Sequence, residues 1–494
     1  MKIAICARWL TLAALALVLA GCSRERSPSA GADPAASVNR LRSDVTFLAS
    51  DDLEGRGTPS RGLDLAALYL ETQLQAAGVA PAVSGSYRQG YRVGNYTPAE
   101  ARVVVRINGR TVNPGDYIFV NSGRDPAKGP LALPSVEVGY GIVSEERNVD
   151  ELAGRDLLGK AVVARKGAPW PLHPGAFFGP DRAVGKFTAA AARGAELFVY
   201  LTEELDDASD AESMLVRHMK GVPVSFLRPE IPHASTFGPV LLLKPKAYAA
   251  GGAGKIEVSI SASVREARAS NVVGKIEGTD PALRNEWVVV SAHYDHLGSP
   301  PVPAGQDGIW NGADDNASGT AAVLELARQV ARAPGRRSLL VLLVSGEECG
   351  LLGSAYYAAN PVAPMKQVVA QINLDMVGRP EGNKVEALAH VSRALFDQAV
   401  GAGKRHGIEV IADRHPEWRA LYLTDTYAFA RAEVPCIHFF TSLHADYHQP
   451  SDTAGKIHYA EMARIVAAAA EMARAYLDGA PRPSFERPKW FVTP

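Results

Sequence analysis

Acids and histidines gather in five short stretches of the second half of the chain. They are His293-Tyr294-Asp295, Asp314-Asp315-Asn316, Gly346-Glu347-Glu348, Asp375 and Asp446-Tyr447-His448. A single His-x-Asp is most simply a structural hydrogen bond, but five such groups together are a ligand set. Carboxylates with imidazoles suit zinc, and also manganese or cobalt. One ion with an open position needs only three protein ligands, so a larger set with an acidic loop able to bridge points to two divalent ions. Asp315, Glu348 and Asp375 would set three negative charges against the four positive charges of two such ions. The residual charge is what a bound hydroxide and a substrate oxygen would neutralise. Two ions about 3.5 Å apart can clamp an attacking water and a carbonyl oxygen together, which is the chemistry of hydrolysis.

Each group follows an apolar run. Trp287–Ala292 precedes His293, Ser338–Ser345 precedes Glu347, Val368–Leu374 precedes Asp375, and Cys436–Thr441 leads to His448. These runs are short, rich in β-branched residues and bounded by turn formers, which predicts buried strands. Helical patterns at 317–331, 349–360, 392–407, 425–431 and 459–477 alternate with them, the rhythm of a doubly wound α/β sheet, mixed but mainly parallel. Ligands of such sheets sit outside the carboxyl ends of the strands, where all these groups fall.

The chain has 494 residues, more than one hydrophobic core usually holds, and its net charge of −1 gives no electrostatic footprint for nucleic acid. Residues 1–22 read as a secretory signal: Lys2 and Arg8, an apolar run from Trp9 to Ala20, then Gly21-Cys22. Leu19-Ala20-Gly21-Cys22 resembles the lipobox of bacterial lipoproteins. That implies export to the cell envelope and a membrane anchor through lipid on Cys22, with the chain facing the periplasm. Residues 23–37 form a polar tether, and 38–96 are helical and expected to pack on the catalytic sheet. Residues 97–265 change to short strand-like runs and form an inserted β-rich block. Residues 266–480 are the catalytic domain and 481–494 a tail. Cys349 and Cys436 are expected to be free, buried thiols.

His293-Tyr294-Asp295, Gly312–Gly319, Gly346–Leu351, Asn373–Met376 and Tyr447–Thr453 together resemble the co-catalytic zinc exopeptidase family. That family includes secreted bacterial leucyl aminopeptidases, glutamate carboxypeptidase II and the glutaminyl cyclases. The motifs occur in family order across 271–478. The resemblance implies that His293 and Asp375 hold one ion, Glu348 and His448 the other, and that Asp315, anchored by Asn316-Ala317-Ser318-Gly319, bridges both. It also implies that Asp295 orients the His293 ring, that Glu347 is the general base, that Tyr447 stabilises an oxyanion, and that a cis peptide follows Asp315. Where many members read Ser-Asp-His this chain reads Thr424-Asp425-Thr426; Asp425 is left to support the site or touch substrate. Leu158–Val163 and the helix before Gly194-Ala195-Glu196 resemble the protease-associated domain inserted in many members, expected to shade the mouth of the site.

The implied activity is removal of N-terminal residues from peptides. A carboxypeptidase or dipeptidase would use the same metals and differ in binding the free terminus, for which Arg56 and Arg379 are the candidates. A non-catalytic, receptor-like relative would have lost ligands, which this chain retains. A glutaminyl cyclase keeps one metal, and the chain has no Gly-x-Ser-x-Gly for serine chemistry.

Overall fold

The computed structural model describes residues 34–120, 123–171, 181–205, 224–228, 238–300, 302 and 305–491. The signal, Cys22 and most of the tether lie outside the described residues. Helix Pro34–Leu48 begins inside the stretch whose composition marks it as tether. No helix among the described residues is long and apolar enough to cross a membrane.

Among the described residues a ten-stranded mixed sheet runs in the spatial order 224–228, 88–96, 265–276, 338–344, 287–293, 368–374, 436–440, 384–388, 409–412, with 80–81 beside 265–276. Its centre is four parallel strands, Ser338–Val344, Trp287–His293, Val368–Leu374 and Cys436–Phe440. Strands 338–344 and 368–374 are buried along their whole length because helices cover both faces. Helices 34–48, 61–76, 319–332 and 459–477 cover one face, joining Leu41, Leu70, Leu324 and Ile465 to one core. Segments 352–359 and 426–431 cover the other, with Tyr357 and Phe429 stacked at 5.8 Å.

Among the described residues, 102–261 supply a second, eight-stranded sheet, in the order 110–111, 102–107, 255–261, 131–137, 161–165, 197–201, 240–243, 117–120. It has its own core around Val105, Val163, Val199 and Leu241. Strand Val224–Arg228 leaves this block and pairs antiparallel with Arg88–Tyr96 at the edge of the large sheet. The two parts also share packing: Ala192 joins the cluster of Leu421 and Tyr422, and Leu423 packs against the core around Phe187.

Candidate metal centre

Strand Trp287–His293 delivers the His293 ring at its carboxyl end, almost fully buried. The neighbouring strand delivers Asp375, and the loop between 293 and the helix at 319 delivers Asp315. His293 Nε2 lies 3.3 Å from Asp315 Oδ1 and 3.3 Å from Asp375 Oδ1. On the other side of the same carboxylate, His448 Nε2 lies 3.1 Å from Asp315 Oδ2 and 3.3 Å from Glu348 Oε2. Asp315 thus turns one oxygen to each of two histidine-centred triads. Ligand atoms on a tetrahedral zinc, at bonds of about 2.0–2.1 Å, stand about 3.3 Å apart. The four distances fit that spacing, so the residues fit two such ions.

The backbone of the bridging loop is held from several directions. The Asp315–Asn316 peptide is cis. Asn316 Oδ1 accepts from Gly319 N at 2.9 Å and Met376 N at 3.1 Å, and its amide donates to Leu374 O at 3.2 Å. A side chain at 319 would meet Leu374 O at 2.1 Å, so glycine alone lets the helix start so close to the Asp375 strand. Asp314 faces away from the triads. Its Oδ1 accepts from Gly378 N at 2.7 Å and its Oδ2 lies 3.1 Å from His444 Nε2. The buried Asp452 carboxylate accepts from the amides of both Asp314 and Asp315, at 2.9 and 3.1 Å.

Two expectations are corrected by this geometry. Asp295 does not grip the His293 ring with its carboxylate: Nδ1 is 3.8 Å from Oδ1 and 3.3 Å from the Asp295 backbone oxygen. The carboxylate is taken up instead by the Thr58 hydroxyl at 3.1 Å and the Glu347 amide at 3.2 Å, and burial pushes it up to about 7. Arg56 is fully buried and donates to the carbonyls of Leu48, Tyr294, Asn311 and Gly312, so its guanidinium cannot meet a substrate carboxylate. Burial lowers it to about 10, against the pull of Asp295, Asp315, Asp452 and Glu348.

Arg379 is committed to Asp446 at 2.6 Å and lies 3.1 Å from His444 Nδ1, which braces the loop carrying His448. The Tyr447 ring stacks on His448 at 3.8 Å. Asp425 is buried, and burial raises it to about 6 against the charge of His293 and with that of Asp375. A Glu347 carboxylate oxygen lies within 4.8 Å of donor atoms of His293 and Glu348. Burial lifts Glu347 well above the carboxylate range; His293 opposes this, and Glu348, Asp425 and Asp375 add to it. Against burial, the His293 and His448 rings hold Asp315 well below that range, and Glu348 with Asp315 holds His448 up at about 10. The centre therefore carries more carboxylate than imidazole, the balance a cation would complete.

His296 joins the Asp315, Glu348 and His448 group, with Nδ1 2.7 Å from Glu348 Oε1. Sequence reasoning missed it, although it stands three residues after His293 at the same strand end. Asp452 was missed too, inside a motif that carried the family resemblance. Cys349 and Cys436 are free, Cys436 buried and Cys349 partly so.

Residues 271–473 match the sequence model described as Peptidase family M28. A probable zinc metalloprotease of Leptosphaeria maculans is 31% identical over 172 residues, covering 32% of this chain and 39% of that protein. The aminopeptidase YwaD of Bacillus subtilis is 28% identical over 252 residues, 46% of this chain and 49% of its own length. An aminopeptidase of Pseudomonas aeruginosa is 29% identical over 196 residues, 39% of this chain and 32% of its own. The chain thus spans less than half the length of each of these relatives. The fold matches the solved aminopeptidase of Aneurinibacillus sp. strain AM-1, with TM-score 0.53 and 18% identity over 92% of this chain and 96% of that one.

Proposed function

We propose that the chain, whose residues 271–473 match the model of peptidase family M28, is a zinc-dependent aminopeptidase. The observation that carries the reading is the Asp315 carboxylate shared between two triads of zinc-ligand spacing. His293, Asp315 and Asp375 would hold one ion, and Asp315, Glu348 and His448 the other. Bound there, the two ions supply Lewis acidity to a water and to the scissile carbonyl.

The remaining chemistry belongs to side chains. Glu347, whose affinity for a proton is raised by its surroundings, takes a proton from the attacking water and returns it to the departing amine. Asp295 fixes the Glu347 backbone through the amide, and Thr58 fixes Asp295. Tyr447, held flat against His448, donates its hydroxyl to the carbonyl oxygen as that atom gains charge. Cleavage from the amino end is supported by the names of the bacterial relatives and by Arg56, whose buried guanidinium is spent on backbone carbonyls.

The test incubates a chain beginning at Ala36 and supplied with zinc with peptides in free and N-acetylated forms, followed by mass spectrometry. Stepwise loss of N-terminal residues from the free forms alone is expected. Loss of C-terminal residues from both forms would make it a carboxypeptidase. No cleavage with metal bound would leave a binding role. The lipobox-like Leu19–Cys22 supports a lipid-anchored protein of the cell envelope. Labelled palmitate should enter the full chain and be lost in C22A; equal labelling of both would refute the anchor.

A further inference from the structure

Glu348 uses its two oxygens for different purposes. Oε2 stands 3.3 Å from His448 Nε2, the spacing of two donors on one ion. Oε1 stands 2.7 Å from His296 Nδ1, a charge-assisted hydrogen-bond length and well short of that spacing. His296 Nδ1 is also 3.9 Å from Asp315 Oδ2, too far to share an ion with it at tetrahedral spacing. A neutral imidazole carries one proton, and which nitrogen bears it follows from the partners. His296 Nε2 is buried with no hydrogen-bond partner, so the proton belongs on Nδ1, facing Glu348. The ring is also fixed on other sides. It meets the His448 ring edge-on at 5.6 Å, and its backbone amide donates to Arg56 O at 3.3 Å. Residue 312 must be glycine beside it, because a side chain there would come within 2.6 Å of the ring.

We propose that His296 is a positioning residue for the second metal site: it donates Nδ1–H to Glu348 Oε1 and so presents Oε2 alone to the ion. This rests on the two-ion reading above. The imidazole is not itself a ligand, because the nitrogen that faces the site carries the proton. The role resembles that of the groups behind metal ligands elsewhere, whose loss weakens metal affinity about 10- to 100-fold.

Asparagine can place an N–H near the position of Nδ1 but cannot supply a ring nitrogen to zinc, and glutamine puts its amide farther out. Zinc stoichiometry and affinity would be measured by competition with a chromophoric chelator for the wild type, H296A, H296N and H296Q, with circular dichroism of each metal-free protein. The wild type should hold two ions. H296A and H296Q should hold one as before and bind the other about 10- to 100-fold more weakly, while H296N stays near wild type. Unchanged affinity in H296A would overturn the proposal. An H296N as weak as H296A would overturn hydrogen-bond donation in favour of direct ligation. Should H296A not fold, H296N against H296Q decides, and equal affinities overturn the proposal. A folded wild type holding fewer than two ions would instead sink the two-ion reading, and the proposal with it.

Discussion

Both sheets contain four adjacent parallel strands. In the large sheet these are 338–344, 287–293, 368–374 and 436–440, and in the smaller one 131–137, 161–165, 197–201 and 240–243. Parallel strands place all their carboxyl ends on one side, so both sheets offer the same platform. What stands on it differs. At the ends of the smaller sheet Lys166 pairs with Glu204, and Lys244 with Asp116, each charge answered by its opposite. At the ends of the large sheet Asp315, Glu347, Glu348 and Asp375 converge and outnumber the imidazoles of His293, His296 and His448. Topology supplies the place; an excess of buried acidic donors over the neighbouring imidazoles suits it to a cation.

The sharpest way to break that contrast is D315A, which removes a ligand from both triads at once. Both ions should be lost and peptide cleavage should fall below detection, with metal content read by atomic emission. Two ions retained would mean that Asp315 bridges nothing. Next comes E347Q, which should lower kcat by about 10²- to 10⁴-fold while both ions stay bound. Equal loss of metal would move Glu347 into the ligand set.

Matched cavities in the two sheets come third. L343A and L241A each empty a fully buried site and should each cost about 2–5 kcal/mol by urea denaturation. Only L343A, on the strand before Glu347, should also weaken zinc binding; an equal effect from L241A would show that the smaller sheet shapes the centre.

The smallest effect tests the helix at 34–48. Arg40 donates both arms to the buried Glu325 carboxylate at 2.6 Å and, against burial, holds it below its ordinary range. A carboxylate with a lowered folded pKa adds stability above its unfolded value of about 4.3, and that contribution is lost as pH falls further. R40A should therefore cost about 1–3 kcal/mol at pH 7 and progressively less as the pH is taken below 4. A deficit independent of pH would mean that packing, and not charge, ties the helix down.

Much of the centre can be read from the chain because the large sheet's core strands are mainly apolar runs and an acid or a histidine follows each. The strands toward the two sides of the sheet lack that signal. Arg88–Tyr96 alternates around two glycines, Lys384–Leu388 and Glu409–Ala412 are short and part polar, and Val224–Arg228 finds its partner across 128 residues, counted from Val224 to Tyr96. Direction is legible only through the resemblance, whose Asn316–Gly319 anchor singles out Asp315. Asp314 and Asp315 are adjacent and chemically identical, yet one faces Gly378 and the other the two rings. Likewise, His296, Asp452 and Arg56 take their roles from what surrounds them in space, which one-dimensional spacing does not encode.

Arg56 has a consequence for how the molecule is made. Its bonds to Tyr294, Asn311 and Gly312 span 238 to 256 residues, and Asp452 reaches back 138 residues to Asp314. A chain emerging from its amino end must hold the segment around residue 56 in reserve until the walls of the centre exist. Closing such loops costs entropy before any contact is gained, so folding should be slow and completed late. A fragment cut to 271–473 would retain every proposed ligand and still lack the guanidinium that ties the bridging loop to the strand beside it.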